Sequence, residues 1–211
     1  MSKPLDLEWW ASSLLGQFWE RCAVELRDGR VVRAFQMATR FVDAIGRSGE
    51  PGAMVALLAL DALEPGPLGR HAYKLALKLS GYSVPSWIQQ VGHADVVQAV
   101  GAESPDGDVL FIEARRGADD VHTIATYIDH RLGGAAKHLG LVRPIEELIA
   151  ADVELEGVPS FRSELEPSDP ADACLRLVDA IEVTDAIAKP PVGDSFAALR
   201  ALALTRALPL A

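Results

Sequence analysis

Apolar residues recur every three or four positions over the first ninety residues of the chain. The first stripe comprises Leu7, Ala11, Leu14, Phe18 and Cys22. A second runs over residues 31–45, and a fourth over residues 72–79. The third segment, residues 53–63, is apolar on nearly every side. This period is that of helices, and the short links between the segments predict an antiparallel bundle with the third helix at its centre.

From Asp95 the period of the apolar positions changes from about four to two. Strands are predicted at residues 96–102, 108–115 and 121–128, with turns at 104–107 and 116–120 between them. Turns this short join antiparallel neighbours, so the segment is predicted to form a β-meander.

Helical periodicity returns after the meander. Pro144 stands at the first turn of a helix that extends through Ala151, and two further helices are predicted at residues 172–187 and 195–208. Asp194 or Ser195 is placed to cap the last of them.

Taken together, the pattern predicts an α+β protein in which helices pack on a small antiparallel sheet of three or more strands. Three parts sharing one core are expected: a helical bundle over residues 1–91, the meander with its following helix over 92–156, and a C-terminal helical segment that packs back over 157–211.

The composition is that of an ordinary soluble globule, with 49% hydrophobic and 24% charged residues. The longest apolar run, residues 53–60, is far short of the ~20 residues that span a bilayer, so no membrane partner is expected. Asp6 and Glu8 stand where a secretory signal would be basic and then apolar, which predicts a cytoplasmic protein.

The net charge of -10 is concentrated in the second half of the chain. Residues 1–92 carry ten basic and nine acidic side chains, whereas residues 93–211 carry ten basic and twenty-one acidic ones. Such an acidic surface repels phosphate backbones, so nucleic acid is not expected as a partner.

Polar chemistry is densest between the third strand and Lys137. If Arg115 lies opposite Val121, the antiparallel register brings Asp106 opposite His130. The open end of the hairpin would then collect Asp106, Asp108, Asp129, His130 and Lys137. Four of these are candidate catalytic residues: Asp106, Asp129, His130 and Lys137. A carboxylate beside an imidazole is the minimal arrangement for acid–base catalysis. The alternative is that these side chains serve a turn and a strand end, and a slip of one residue would separate the pair.

Gly133 and Gly134, followed by Lys137, allow two interpretations. Backbone amides and an ammonium group could bind an anion, or the glycines could provide the positive φ of a turn. No metal site is predicted, because His122 and His130 lie on one strand eight residues apart, about 26 Å at ~3.3 Å per residue. No cofactor is predicted either. Cys22 and Cys174 are expected to be buried free thiols.

The sequence between the acidic turn and residue 200 resembles a group of uncharacterised bacterial proteins. In these an acidic turn, a hairpin and a DHxLGGxxK-like element recur in this order. The resemblance covers residues 92–200 and depends on Asp129, His130, Leu132, Gly133, Gly134 and Lys137. It supports the boundaries of the fold and implies no particular chemistry.

Two surfaces of the N-terminal bundle are candidates for interactions. Trp9, Trp10 and Trp19 on the first helix are of the type enriched at interfaces. Arg70, Lys74 and Lys78, beside His71, recur at four-residue steps, and they either dock the acidic segment 146–172 of the same or a neighbouring subunit or form a solvated helix face.

This pattern predicts a non-catalytic binding protein that associates with itself or with an unidentified protein partner. A small hydrolase-like enzyme centred on Asp129, His130 and Lys137 is the alternative. Whether the protein is an enzyme at all is left open by the sequence.

Overall fold

The computed structural model describes residues 4–25, 31–79, 81–151 and 165–211. The chain forms two compact units, Met1–His93 and Ala94–Ala211, which are treated separately below. The first is helical, and the second combines a five-stranded sheet with three helices. The predicted α+β class is therefore confirmed. None of the described helices combines the length and the apolar character needed to cross a membrane.

In the described residues of the first unit, four helices are followed by a short 3-10 helix. They are α1 (Pro4–Glu25), α2 (Val31–Arg47), α3 (Pro51–Leu63), α4 (Pro67–Lys78) and the 3-10 helix Ser86–Gln90. Helix α3 contacts α1, α2 and α4 and buries Leu57, Leu60 and Leu63. Its central position in the bundle, predicted from its apolar faces, is confirmed.

A buried carboxylate joins the two ends of the first unit. The side chain of Glu8, on α1, is fully buried, and its Oε1 accepts a hydrogen bond from the backbone N–H of Gly92 at 2.6 Å. Gly92 has a φ of +81°, and a Cβ there would lie 3.0 Å from that of Ala62. Glycine is therefore required at this position both by the backbone conformation and by the close approach of α3.

The second unit contains one antiparallel sheet of five strands in the order β4-β3-β2-β1-β5. The strands are β1 (Asp95–Glu103), β2 (Gly107–Arg116), β3 (Asp120–Asp129), β4 (Ala135–Val142) and β5 (Glu166–Ser168). Arg115 pairs with Val121 and Asp108 with Ile128, so the predicted register of the β2–β3 hairpin is confirmed. Strands β4 and β5 were not foreseen individually, because β4 is interrupted by polar and glycine residues and β5 has only three residues.

Helices cover both faces of this sheet. On one face Val109, Phe111, Ala125 and Tyr127 form a cluster with Ile145 of α5 (Ile145–Ala151). The helices α6 (Pro170–Ala186) and α7 (Phe196–Ala207) also pack against the sheet, where they contact β1 and β4. Successive side chains of a strand point to opposite faces of the sheet. Because both faces are covered, β2 is buried continuously from Gly107 to Ala114.

A buried polar contact attaches the last helix to the sheet. Arg206, on α7, is almost fully buried and donates from Nε to Nε2 of His122 on β3 at 3.0 Å. An accepting Nε2 carries no proton, so the neutral ring holds its hydrogen on Nδ1, which lies 3.5 Å from Oδ1 of Asp120. His122 therefore has a structural role between two charged side chains.

Candidate functional site

The link between β3 and β4 is a capped 3-10 turn, and it positions the first candidate side chains. Asp129 is the N-cap of the short helix His130–Leu132, and its Oδ1 accepts from the N–H of Arg131 at 2.9 Å. Gly133, at a φ of 73°, is the left-handed C-cap. The turn thereby fixes Asp129 and His130 at the end of the sheet.

The β1–β2 hairpin brings Asp106 and Asp108 to the same end of the sheet. Its turn is closed by Ser104, whose hydroxyl donates to the carbonyl of Gly107 at 2.7 Å. The backbone N–H of His130 donates to the carbonyl of Asp106 at 3.1 Å, as expected from the predicted alignment of the two residues. The four candidate catalytic residues are thus on adjacent strands and turns, although their side chains pair differently from the prediction.

The imidazole of His130 contacts Asp108, not Asp106. Its Nε2 lies 3.0 Å from Oδ2 of Asp108, and Nη2 of Arg176, on α6, lies 2.6 Å from the same oxygen. Arg176 also contacts Oε1 of Glu103 through Nη1, at 3.1 Å. The Asp108 side chain is only 10% exposed, whereas that of His130 is 42% exposed. A nearly buried carboxylate therefore orients a half-exposed imidazole.

The remaining candidates form separate ion pairs. Asp106 accepts from the guanidinium of Arg131 at 2.6 Å, and Lys137 Nζ lies 3.5 Å from Oδ2 of Asp129. The hydrogen bond to Asp106 raises the pKa of Arg131. Burial raises the pKa of the neighbouring Tyr127, and the carboxylates of Asp129 and Asp106 raise it further. Lys137 and Asp106 are therefore both engaged away from the imidazole.

The chemistry available to His130 follows from its tautomer. A carboxylate paired with Arg176 can only accept, so Nε2 of His130 carries the hydrogen and Nδ1 of the neutral ring has the lone pair. Such a ring can accept a proton from water or a ligand. Within the described part of the chain, His130 bonds no hydroxyl or thiol group, so the pair has no protein nucleophile attached to it.

The double glycine has the backbone conformation that a turn requires. Gly133 and Gly134 have φ values of 73° and 87°. Their amides donate to the carbonyls of His130 and Asp129, both at 3.1 Å. Both amides are thus used within the turn, and the ammonium of Lys137 faces Asp129. Neither glycine has a free amide to offer an anion. Anion binding at this turn stays a prediction.

The three tryptophans of α1 differ in exposure. Trp9 is 53% exposed, whereas Trp10 and Trp19 are half-buried. On α4, the side chains of Lys74 and Lys78 are exposed and His71 instead contacts Asp43 of α2 at 2.7 Å. Trp9 is therefore the member of the predicted tryptophan surface that is most available to a partner.

Arg176 and Glu103 are the members of the polar cluster that sequence reasoning missed. Glu103 ends β1, and Arg176 lies on a helix far away in the sequence, so no spacing rule joins either to the DHRLGG turn. One signal was available. Between Glu146 and Asp194 there are three basic residues against thirteen acidic ones, and Arg176 is the one of the three that lies within a helix carrying a regular apolar stripe.

Among the residues that the structure describes, no three His, Cys, Asp or Glu side chains are grouped as a metal ion would require. Cys174 is buried on α6, and burial raises the pKa of its thiol to about 11. A thiol with this pKa is not a nucleophile at neutral pH. The side chain of Cys22 lies outside the described residues.

No protein-family model matches the chain, and no curated protein or solved structure is significantly similar to it.

Proposed function

We propose that this protein is a non-catalytic binding protein that associates with itself through its helices. The observation that carries this proposal is the exposure of large apolar side chains on the first unit. These are Trp9, Phe35, Phe41, Tyr73, Leu77 and Tyr82. A half-exposed tryptophan on a well-formed helix is typical of a surface that a partner covers. The near balance of basic and acidic residues over residues 1–92 removes the net repulsion that would oppose association of this half of the chain.

The pairing of the polar cluster supports the same proposal. Asp106, Asp129 and Lys137 each have an intramolecular ion-pair partner in the second unit. Side chains paired in this way already have partners for their charges and hydrogen bonds, so they need no substrate to supply them.

Sedimentation velocity of the full chain over a wide range of micromolar concentrations tests self-association. We expect the mean sedimentation coefficient to rise with concentration and the Trp9→Ser variant to require higher concentrations for the same rise. Leu210→Ser, which alters an equally exposed side chain at the other end of the chain, is the matched control. A single species with the mass of one chain at every concentration would exclude the proposal.

A second function is favoured by the pairing of Asp108 and His130. Under it, the imidazole acts as a general base on water, with Asp108 holding the tautomer and Arg176 holding Asp108. A panel of chromogenic p-nitrophenyl esters and phosphate esters provides the assay. Turnover that is lost in both His130→Gln and Asp108→Asn, but retained in Lys137→Ala, would support this function. Turnover no faster than in buffer, or unchanged in His130→Gln, would reject it.

A further inference from the structure

The outer face of α4 combines basic and apolar side chains. We call it the basic stripe: Arg70, Tyr73, Lys74, Leu77 and Lys78, all exposed. Leu77 is 54% exposed and Tyr73 is 44% exposed, and both lie between charged residues of the stripe. These positions recur at three- and four-residue steps, so they lie along one side of the helix. The opposite side of α4 buries Ala72 and Ala76. The basic stripe therefore exposes apolar side chains on the side of α4 that faces away from the packed side.

The outer face of α6 has the same organisation with the opposite charge. We call it the acidic stripe: Asp172, Leu175, Asp179 and Glu182, all exposed. Leu175 is 47% exposed. Arg176 could neutralise Asp172, four residues before it, but its guanidinium is engaged by Glu103 and Asp108. The negative charge of the stripe is therefore uncompensated along α6.

Like charges are neighbours within each stripe. Lys74 lies four residues from both Arg70 and Lys78, and Asp179 lies three residues from Glu182. Like charges at these steps on a helix repel each other. Neither the two lysines nor the carboxylates of Asp179 and Glu182 form an ion pair with another residue that the structure describes. Contact with a helix of opposite charge would relieve the repulsion on both sides.

The two stripes also match in length. At 1.5 Å per residue, the basic stripe extends about 12 Å along α4 and the acidic stripe about 15 Å along α6. Each has an exposed leucine between charged residues, and an interface likewise surrounds its apolar contacts with polar ones. Two other described helices expose acidic and apolar side chains. On α1, Asp6 and Glu20 are fourteen residues apart and form no continuous stripe with Trp9. Helix α5 has seven residues, and its Glu147 already pairs with Arg143. The longer and unpaired stripe of α6 is the better complement.

We infer that the basic stripe of α4 binds the acidic stripe of α6 from a second copy of this chain. This inference rests on the proposed self-association and names one pair of surfaces that contributes to it, in addition to the surface around Trp9. Leu77 and Tyr73 of one copy would cover Leu175 of the other, with Lys74 and Lys78 facing Asp179 and Glu182. Because the two surfaces differ, the contact is heterologous, and each copy offers one surface of each kind.

A charge-swap experiment tests the inference. One variant carries Lys74→Glu and Lys78→Glu, and the other carries Asp179→Lys and Glu182→Lys. In either variant alone the two stripes have the same sign, so we expect self-association to weaken at least about tenfold. In an equimolar mixture each stripe meets one of opposite sign, and association between the two variants is expected to return to near the wild-type level.

The control is Arg40→Glu with Arg47→Glu, which changes the net charge by the same amount at exposed positions of α2. It should associate like the wild type, and circular dichroism should show the same helix content in every variant. Raising the salt concentration should weaken the wild-type association, because the charges at the rim are screened.

The possible failures are distinguishable. If the wild type associates and the two charge-swapped variants associate equally well, the inference is wrong and the proposed function stands. If both variants are weakened and the mixture does not recover, the complementary contact is likewise excluded. If the wild type has the mass of one chain at every concentration, the proposed function fails and the inference fails with it.

Discussion

At the scale of single residues, the end of the sheet is held by close approaches that leave little freedom of substitution. Gly107 pairs with Asp129, and a Cβ at this position would lie 2.3 Å from the carbonyl oxygen of Ile128 and 2.7 Å from the hydroxyl of Tyr127. The backbone oxygen cannot move without breaking the ladder. Glycine is therefore required here by space, not by the sign of φ.

Gly107→Ala should lower the free energy of unfolding by about 1–3 kcal/mol, because the new methyl group forces apart β2 and β3. Urea denaturation followed by circular dichroism measures the change. Gly140→Ala is the matched control in the same sheet, since a Cβ there would meet its neighbours at an ordinary 3.7 Å. Equal stability of the two variants would contradict this account of Gly107.

Cys174 should make stability fall at alkaline pH. Burial raises the pKa of its thiol from 9.0 to about 11, so the unfolded chain loses this proton first. The free energy of unfolding is therefore unaffected below about pH 9 and decreases between pH 9 and 11, by about 2 kcal/mol in all.

The measurement compares wild type with Cys174→Ala in urea at several pH values. The difference in stability between the two proteins should shrink as the pH rises from 9 to 11, because alanine has no proton to lose. A difference that is constant over this interval would show that the thiol ionises equally in both states.

At the scale of elements, buried polar side chains decide how helices meet the sheet. Glu113, on β2, is 2% exposed, and its Oε2 accepts from the backbone N–H of Ile145, the first residue of α5, at 2.9 Å. Arg206 plays the corresponding part for α7 by donating to His122. Each contact pairs buried polar groups of a helix and a strand, so it fixes the position of its helix.

Replacing Glu113 by alanine should lower the free energy of unfolding by about 1.5–3 kcal/mol, because the amide of Ile145 loses a charged acceptor in a buried site. Glu113→Gln keeps an acceptor and should cost less. Glu147→Ala, which removes an exposed partner of Arg143 near the start of the same helix, should change stability by less than about 1 kcal/mol. If the alanine substitutions at 113 and 147 have equal effects in urea, the contact with Ile145 is unimportant.

At the scale of the whole molecule, each compact unit has its own buried side chains. In Ala94–Ala211 the fully buried residues include Leu110, Ile112 and Ile124 of the sheet and Leu177 of α6. A segment that buries such a core can fold independently. The proposed association, by contrast, uses exposed residues: those of the helical unit and the acidic stripe of α6.

Residues 94–211 expressed alone should therefore fold. We expect a single cooperative urea transition by circular dichroism, with a free energy of unfolding in the range of about 5–15 kcal/mol that is usual for domains. The same fragment carrying Leu110→Asp is the control and should lack the transition. A gradual, non-cooperative loss of signal in the unsubstituted fragment would contradict the independence of this unit.

Local patterns were sufficient for most elements and for the register of the central hairpin. Helical spacing predicts α1 to α7, and period two predicts β1 to β3, because these patterns directly express which side of an element is buried. The short turn at 117–119 leaves one antiparallel register that keeps the apolar sides of β2 and β3 together. Strand β4 has no such pattern, since Lys137, His138 and Gly140 interrupt its alternation.

The sequence alone determined the class of the fold, the position of the acidic half and the gathering of Asp106, Asp129, His130 and Lys137 at one end of the sheet, because each depends on neighbours along the chain or across one hairpin. Only the tertiary structure decided which side chains pair. Asp108, not Asp106, holds His130, because Arg176 approaches from a helix 68 residues further along the chain. Side-chain pairing depends on where distant elements meet, and no local periodicity records that meeting.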